Sequence, residues 1–362
     1  MMKATVEYVT VPKDSRIIAI SDIHGDLSGF KKLLNKVHFT DHDSLFIVGD
    51  FCEKGSEILP LVRYVMNLSK KSNVHIVCGN CDTLYEDVYL MDNKEEDAIL
   101  LNYMLNRPLS ILNDMCREIN YVVNKNTDMK DMKITLQNNF KAELDFLSKL
   151  PVIIDTKNFT FVHGGLSSED LEDQDKYACL KNDDFQSKNL KFSKYVVVGH
   201  WPVALYSDKI FNNNPLINPI QKIISIDGGN SIKTEGQINA LLIDPSGNMS
   251  FDSYDHLPEA VVCDDSLIEN QNPEFIHYGH NEVKILSEKD DFSECLLLES
   301  GKTIWAVTED MYSYNGHDYC NDMTTYIMPL KKGDVVKVIK KTSRGYIVKK
   351  DGIVGWYKGE LK

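Results

Sequence analysis

The 362-residue sequence has no apolar stretch long enough to span a bilayer, and its first residues lack the hydrophobic core of a secretion signal. It has no excess of basic charge: the net charge is −14 at pH 7, which argues against general binding of nucleic acids or anionic membranes. Its eight cysteines have no regular framework spacing, which is typical of reduced thiols. These absences predict a cytoplasmic protein with no nucleic-acid and no membrane partner.

Strand and helix patterns alternate over the first part of the chain. Thr5–Val11 predicts an edge strand that ends at Pro12, and apolar residues at helical spacing predict helices over Phe30–Val37 and Ile58–Leu68. Asp26 would stand at the start of the first helix, where a carboxylate suits the positive end of the helix dipole. The alternation indicates a parallel sheet with crossover helices, and the chain length suits two or three domains.

The stretch Arg16–Asp26 carries the first chemical signal. Its apolar run Ile17–Ile20 is typical of a buried strand, and Asp22, His24 and Gly25 follow it. A carboxylate and an imidazole two residues apart at the end of a strand can reach one metal ion. Taken alone, the pattern is explained equally well by an Asx turn beside a surface histidine.

The same arrangement recurs along the chain. Short apolar runs end next to a side chain that can bind a metal where Ser44–Val48 precedes Asp50, Val74–Cys78 precedes Asn80, Phe159–Val162 precedes His163, and Tyr195–Val198 precedes His200. Ligands of α/β sheets gather outside the carboxyl ends of strands. The sequence therefore predicts one constellation, formed by Asp22, His24, Asp50, Asn80, His163 and His200.

The middle of the chain adds helices and further strands. Residues 83–150 show helical spacing over Leu109–Val123, directly after a proline, and over Leu136–Leu147. They predict a helical insertion beside the constellation, which packs on the core or also walls one side of a substrate cleft. Ile223–Ile226 leads into Asp227-Gly228-Gly229, and Gln237–Asp244 alternates before a hairpin turn. These runs predict a second sheet packed on the first.

The C-terminal third contains short β-type runs and an internal repeat. Val283–Leu286 and Trp305 align with Val336–Ile339 and Trp356, and the ending G-I-V-G-W-Y-K-G-E-L resembles bacterial SH3-like barrels. We predict a degenerate SH3-like β domain over residues 258–311 and an SH3-like barrel over 312–362, with one irregular β domain as the alternative. Such a region would bind a peptide or protein partner.

Residues 1–257 resemble the calcineurin-like metallophosphoesterase superfamily, within it the phosphoprotein phosphatase and bacterial diadenosine tetraphosphatase-like branch. The family motifs GDxHG, GDxxxRG, GNHE, HGG and GH correspond, in the same order, to Ser21–Gly25, Gly49–Gly55, Gly79–Asp82, His163–Gly165 and Gly199–His200. The resemblance implies an α/β fold in which two mixed β-sheets form a sandwich flanked by helices, with the helical insertion at about 83–150.

The resemblance also implies two divalent metal ions. One would be held by Asp22, His24 and Asp50, and the other by Asp50, Asn80, His163 and His200, with Asp50 as the bridge. Oxygen and imidazole ligands suit Mn²⁺ first, then Fe or Zn²⁺, with Mg²⁺ less favoured. A hydroxide that bridges the metals would attack phosphorus in line, so no protein nucleophile is required.

Three departures from the family motifs bear on catalysis. The family's arginine is Lys54, which attracts phosphate but lacks the bidentate fork. The histidine that helps to protonate the leaving group is Cys81, and the acid that supports this histidine is Glu53. Asp82, Glu53 or a metal-bound water would have to replace it. The implied catalytic residues are Asp50, Asn80, Lys54 and Asp82, of which Lys54 and Asn80 bind the substrate.

These features predict a binuclear metal-dependent phosphatase that hydrolyses phosphomonoesters, with serine/threonine phosphoproteins among its substrates. Local similarity to bacterial symmetrical diadenosine tetraphosphatases makes dinucleoside polyphosphate hydrolysis the alternative. A regulatory or binding protein with weakened catalysis is the alternative of another class, and the retention of all six ligand types argues against it. The predicted partner is a phosphorylated substrate.

Two smaller patterns have structural interpretations. Cys78 and Cys81 have thiol-redox spacing, but the surrounding motif explains most of these positions, so we interpret the spacing as accidental. The other seven histidines have no matching partners in the sequence. We predict that they are surface or packing residues: His38, His42, His75, His256, His277, His280 and His317.

If Asp50 bridges two metals, the Asp50→Asn variant should lose metal from both sites, because an amide is a weaker ligand than a shared carboxylate. We expect metal content well below two ions per chain and nearly abolished turnover of an aryl phosphate. Elemental analysis of the purified variant measures the first quantity. Two retained ions together with intact activity would contradict the bridging assignment.

Overall fold

The computed structural model describes residues 2–89, 93–266, 270 and 272–362, so the predicted ranges 83–150 and 258–311 each include a few residues outside this description. The chain divides into two compact units. The first unit comprises Met1–Pro202, Pro215–Ile232 and Gly236–Asp255, and the second comprises Val203–Asn214, Lys233–Glu235 and His256–Lys362. Among the helices of the described residues, none is long and apolar enough to cross a membrane.

The first unit contains eleven strands and eight helices within the described residues. The strands are β1 Val6–Tyr8, β2 Ile17–Ile20, β3 Ser44–Val48, β4 Val74–Val77, β5 Ile153–Asp155, β6 Phe159–Val162, β7 Tyr195–Val198, β8 Leu216–Asn218, β9 Ile223–Ser225, β10 Ile238–Ile243 and β11 Met249–Tyr254. The helices are α1 Leu27–Lys36, α2 Ile58–Leu68, α3 Tyr85–Tyr89, α4 Lys94–Asn106, α5 Ile111–Glu118, α6 Met129–Asn139, α7 Lys141–Ser148 and α8 Lys176–Leu180.

A five-stranded sheet has the order β11-β10-β2-β3-β4, in which β2, β3 and β4 are parallel and β10 and β11 form an antiparallel hairpin. The sequence predicts that β10 belongs to a second sheet, and this assignment is wrong. Strand β10 is apolar and buried along almost its whole length. It therefore pairs as an interior strand beside β2, and β11 forms the edge.

A six-stranded sheet has the order β1-β5-β6-β7-β9-β8, with β6, β7 and β9 parallel. The edge position of β1 confirms the prediction for Thr5–Val11. Apolar side chains of this sheet pack against those of the five-stranded sheet, and the stacked rings of Phe46 and Phe161 lie 3.9 Å apart between centroids. The predicted α/β fold with mixed sheets is confirmed.

The helices follow the apolar patterns, but some of their ends differ from the prediction. Helix α1 begins after Asp26, whose carboxylate accepts the Gly29 N–H at 2.8 Å, and α2 has the predicted bounds. The helix expected from Leu109 begins at Ile111, because the Ser110 hydroxyl caps its first turn. The run expected over 136–147 is divided between α6 and α7.

The second unit is made of strands. Within the described residues these are β12 Glu259–Val261, β13 Phe275–Ile276, β14 Glu282–Lys289, β15 Phe292–Leu297, β16 Thr303–Val307, β17 Met311–Tyr314, β18 His317–Cys320, β19 Met323–Thr324, β20 Val335–Thr342, β21 Gly345–Lys350 and β22 Ile353–Tyr357. They form sheets in the orders β16-β15-β14-β18-β17, β12-β20-β21-β22 and β13-β19.

The internal repeat has a structural counterpart in two antiparallel meanders, β14-β15-β16 and β20-β21-β22. Each meander has a register shift in its first strand, between Ile285 and Ser287 in one and between Val338 and Lys340 in the other. The two shifts fall at equivalent positions of the repeat, since Ile285 aligns with Val338. The SH3-like identity and the bounds 258–311 and 312–362 stay predictions.

Residues 203–214 belong to the second unit, although most of that unit, His256–Lys362, comes much later in the chain. Phe211 is fully buried in a cluster that includes Phe275, Phe292 and Trp356, and its ring stacks on Phe275 at 4.3 Å between centroids. A segment within the predicted catalytic domain, 1–257, therefore contributes core side chains to the β-rich unit.

Because Phe211 is 0% exposed and Phe251 is 45% exposed, the two Phe→Ala substitutions should differ in their effect on stability. We expect Phe211→Ala to lower the free energy of unfolding by about 3–5 kcal/mol, and Phe251→Ala to change it by less than about 1 kcal/mol. Urea unfolding of the full-length variants measures both. Equal effects would contradict the placement of Phe211 in a core.

Candidate metal centre

The predicted ligands follow parallel strands in both sheets of the first unit. Asp22 and His24 follow β2, Asp50 follows β3 and Asn80 follows β4 in the five-stranded sheet, whereas His163 follows β6 and His200 follows β7 in the six-stranded sheet. The carboxyl ends of parallel strands share one edge of a sheet. The sandwich therefore brings side chains from two sheets to one place.

The backbone at this edge takes a conformation that side-chain-bearing residues rarely adopt. Asp22, His24, Asp50 and His200 have φ angles of 52°, 47°, 54° and 67°. Such left-handed residues cost free energy and persist where the surrounding structure holds them. Here the Asp22 N–H donates to the Gly49 carbonyl at 3.1 Å, and the His24 N–H donates to the Asp50 carbonyl at 3.0 Å.

Backbone carbonyls orient the two buried imidazoles. Nδ1 of His163 lies 2.9 Å from the Val48 carbonyl oxygen, and Nδ1 of His24 lies 3.3 Å from that of Cys52. A carbonyl oxygen only accepts, so each Nδ1–H donates, and Nε2 is the ring nitrogen that faces the cluster. This arrangement is typical of histidines that bind a metal through Nε2.

The two Nε2 atoms face oxygens of neighbouring side chains. Nε2 of His163 is 3.3 Å from an Asp50 carboxylate oxygen and 3.2 Å from the Asn80 carbonyl oxygen. Nε2 of His24 is 3.7 Å from Asp22 Oδ1 and 3.9 Å from Asp50 Oδ2. Asp22 Oδ1 is buried and has no hydrogen-bond partner among the described residues. Buried acceptors that converge in this way are stabilised by a cation, so the residues fit divalent metals.

The pKa values of Asp22 and His163 show that the cluster has a negative electrostatic potential. Burial, together with the charges of Asp227 and Asp50, raises the pKa of Asp22 well above its usual value. Burial alone would lower the pKa of His163, but the Asp50 and Asp22 carboxylates raise it to about 10. The negative potential of the cluster therefore favours positive charge at this position.

His200 lies at the side of the cluster. Its ring is 5.4 Å from that of His163 between centroids, and its backbone N–H donates to Asp22 Oδ2 at 3.1 Å. Its Nε2 lies 2.7 Å from an Asp183 carboxylate oxygen, which leaves Nδ1 as the other nitrogen of the ring. Burial and the nearby His163 lower the pKa of His200 to about 4. Its role as a ligand stays a prediction.

Asp227 was not predicted, but its charge acts on Asp22 and so bears on the cluster. It is fully buried after β9, which is parallel to β7 in the six-stranded sheet. One carboxylate oxygen accepts the Gly229 N–H at 2.7 Å, and the other has no hydrogen-bond partner among the described residues. The signal was present in the sequence, since an apolar run followed by Asp227 repeats the pattern that identified the other strand ends.

Two of the three residues that depart from the family motifs, Lys54 and Cys81, lie at the cluster. The Lys54 ammonium is 3.3 Å from Nε2 of His24. Ligand atoms of His24, Asp50 and Cys81 lie within 4.8 Å of one another, and the Cys81 N–H donates to Asp50 at 2.8 Å. Burial alone would lower the pKa of Lys54, but neighbouring anionic groups, Asp50 and Asp22 among them, raise it. Lys54 therefore adds a stable positive charge.

Asp82 and Glu53, the two side chains that could replace the missing acid, accept hydrogen bonds from other parts of the chain. Both oxygens of Asp82 accept backbone N–H groups, from Asp50 and Gly79 at 2.8 Å and from Cys52 at 3.0 Å. Asp82 thus ties the loops after β3 and β4 together. An acid role for Asp82 stays a prediction, and its hydrogen bonds favour an anchoring role.

Glu53 joins the cluster loop to the helical insertion. Its carboxylate accepts the Tyr103 hydroxyl at 2.7 Å and the Ile111 N–H at 2.8 Å, and the Lys54 N–H donates to the Leu109 carbonyl at 2.9 Å. Burial raises the pKa of Glu53 to about 7. The insertion therefore supports the loop that carries Lys54, besides packing on the core.

A two-sheet sandwich with a buried cluster of carboxylates and imidazoles at its strand ends defines a metallohydrolase-type fold. The sequence matches the calcineurin-like phosphoesterase family over residues 15–280. The chain belongs to this family, which confirms the prediction of a phosphoester hydrolase. Family membership implies divalent metal ions, and the residues described above fit them.

Known proteins resemble parts of the chain. A symmetrical bis(5'-nucleosyl)-tetraphosphatase of Buchnera aphidicola subsp. Schizaphis graminum is 40% identical over 84 residues, which is 22% of this chain and 30% of that protein. A crystal structure assigned as a diadenosine tetraphosphatase is 18% identical, with a TM-score of 0.44 over 70% of this chain and 99% of that one. A serine/threonine phosphatase of Saccharomyces cerevisiae is 12% identical, with a TM-score of 0.42 over 71% and 85%.

Removing the Asp82 carboxylate should act mainly on stability. In Asp82→Ala, three buried N–H groups lose their acceptor, and each such loss costs about 1–3 kcal/mol. We expect a lower urea midpoint and lower metal content than in the wild type. The ratio of kcat/KM for an aryl phosphate to that for a phosphoserine peptide should stay unchanged. An increased ratio at wild-type stability would identify Asp82 as the acid instead.

Proposed function

We propose that this chain is a binuclear metal-dependent phosphatase that hydrolyses phosphomonoesters, with Mn²⁺ the first ion to test. The observation that supports this most strongly is the buried cluster in which Asp22, His24, Asp50, Asn80 and His163 direct acceptor atoms at one another. When bound there, divalent metals supply charge neutralisation for phosphate and activate water as a nucleophile.

The chain's own groups bind and orient the substrate in this proposal. The Lys54 ammonium, next to His24, attracts a phosphate oxygen as a point charge. The side-chain oxygen of Asn80 lies 3.2 Å from Nε2 of His163. The side-chain amide of Asn80 is therefore beside this predicted ligand, where it would contact the substrate. The Asp82 carboxylate and the insertion hold the loops that carry these two residues.

The candidate substrates differ in how strongly basic their leaving group is. A serine alkoxide is a strong base and needs a proton on departure, whereas a phenolate or a nucleotide phosphate is a weaker base. Cys81 occupies the position of the family's acid, and burial raises the pKa of its thiol well above the usual value. A neutral thiol is a weak donor. The chain should therefore prefer aryl esters and phosphoanhydrides to alkyl phosphates.

This preference supports dinucleoside polyphosphate hydrolysis as the second candidate. The curated relatives named as symmetrical bis(5'-nucleosyl)-tetraphosphatases point in the same direction, although the matched part covers only about 30% of their length. A phosphoanhydride leaves as a nucleotide phosphate, so Cys81 would suffice. The alternative of another class, a binding protein with weakened catalysis, requires a metal-loaded chain that turns over neither substrate.

We expect kcat/KM for an aryl phosphate or diadenosine tetraphosphate to exceed that for a phosphoserine peptide by about 10²–10⁴-fold, the usual contribution of a general acid. Cys81→His should narrow this gap, more so when combined with Glu53→Asp. Cys81→Ser is the matched control, since it removes the thiol without adding an imidazole. Equal wild-type rates on all three substrates would show that another group donates the proton.

The same assay tests the proposed function itself. Manganese-loaded wild-type protein should hydrolyse at least one of the three substrates, and removal of the metal by chelation should abolish the activity. A chain that binds two ions and hydrolyses none of them would overturn the proposal in favour of the binding protein.

A further inference from the structure

A second cluster of metal-binding side chains lies in the β-rich unit, outside the candidate centre. One ligand atom from each of Asp208, His277 and His280 lies within 4.8 Å of the other two. His277 follows β13 directly, and Asp208 belongs to the segment Val203–Asn214 of the same unit. The two histidines had been predicted to be surface or packing residues, because nothing near them in the sequence suggests a third ligand.

Main-chain and ring contacts hold the cluster together. The Phe275 N–H donates to the Asp208 carbonyl at 3.0 Å, and the rings of Phe211 and Phe275 stack. The His280 N–H donates to the His277 carbonyl at 2.9 Å, which closes a turn that places both imidazoles side by side with ring centroids 5.1 Å apart. The carboxylate therefore comes from one segment and the imidazoles from another.

His277 faces Asp208 as an acceptor. Its Nδ1 lies 3.0 Å from the Tyr278 carbonyl oxygen, so the Nδ1–H donates there and Nε2 of the neutral ring keeps a lone pair. That Nε2 is 3.3 Å from an Asp208 carboxylate oxygen. The side chain of His277 is only 3% exposed. Two acceptors at this distance need a cation or a proton between them.

His280 has a carboxylate beside it. Its Nδ1 lies 2.5 Å from Glu299 Oε2, and its side chain is 49% exposed. A carboxylate that accepts from one imidazole nitrogen fixes the orientation of the ring, as in carboxylate–histidine–zinc arrangements. The accessible ring also leaves a path by which an ion can enter.

We propose that Asp208, His277 and His280 bind one Zn²⁺ ion. Two imidazole nitrogens and one carboxylate oxygen are a preferred donor set for zinc, and water completes a tetrahedral site with three protein ligands. The ion connects the segment Val203–Asn214 to strand β13. This segment begins three residues after His200 in the chain, so the site stabilises the β-rich unit at a point close in sequence to a predicted catalytic ligand.

The test is zinc uptake by the full-length protein and two histidine variants. Equilibrium dialysis against Zn²⁺ followed by elemental analysis gives ions per chain. We expect His280→Ala to bind one ion fewer than the wild type and to hydrolyse an aryl phosphate at the wild-type rate. His317→Ala is the matched control, because His317 is also exposed and also pairs with a carboxylate, Glu282, at 2.7 Å. It should bind as many ions as the wild type.

A second, more conservative variant separates loss of the zinc ligand from misfolding of the chain. Asp208→Asn keeps the size of an exposed side chain and weakens the ligand, so it should also reduce uptake by one ion or lower its affinity at least tenfold. Zinc should raise the melting temperature of the wild type more than that of either site variant. Equal uptake and equal melting shifts in the wild type, His280→Ala and Asp208→Asn would overturn the proposal, since Asp208 and His277 would then form only a protonated ion pair.

Discussion

The candidate centre depends on one constraint: several carboxylates converge with imidazole nitrogens in a buried place. Asp22, Asp50 and Asp227 are all almost fully buried there. Neighbouring like charges repel strongly in a low dielectric, and the charges of Asp227 and Asp50 raise the pKa of Asp22. The fold holds them with left-handed backbone conformations and with the Asp82 carboxylate, which joins two loops. A structure that holds acceptors together in this way is organised for cations.

In the proposed function, the choice between phosphate substrates depends on two positions, Lys54 and Cys81, rather than on the whole site. Lys54 keeps the positive charge of the family's arginine but presents it as a point, and Cys81 keeps a position close to Asp50 without an imidazole's ability to donate a proton. In the proposed function, phosphate attraction and metal binding are thus retained, while proton delivery is weakened. The helical insertion is part of this arrangement, because Tyr103 and Leu109 hold the loop that carries Glu53 and Lys54.

The β-rich unit is joined to the first unit by more than one chain crossing. Residues 203–214 and 233–235 belong to it although the sequence surrounds them with strands of the first unit. Phe211 is buried in its core, and Lys349 donates to the Glu235 carbonyl at 2.8 Å. A division at residue 257 follows the composition of the chain, which changes there. It overlooks these segments because they are too short to show a composition of their own.

The sequence by itself determined the strand ends and the residues at them, because an apolar run followed by glycine and a polar ligand is a local pattern, as at Asp22, His24, Asp50 and His163. Only the tertiary structure decided which strands share a sheet, so the hairpin β10-β11 was misplaced and Asp227 was missed. It alone brought Asp208 to His277 and His280, which lie about seventy residues away in the chain. Local patterns report what a residue can do, whereas long-range packing selects the partners with which it does so.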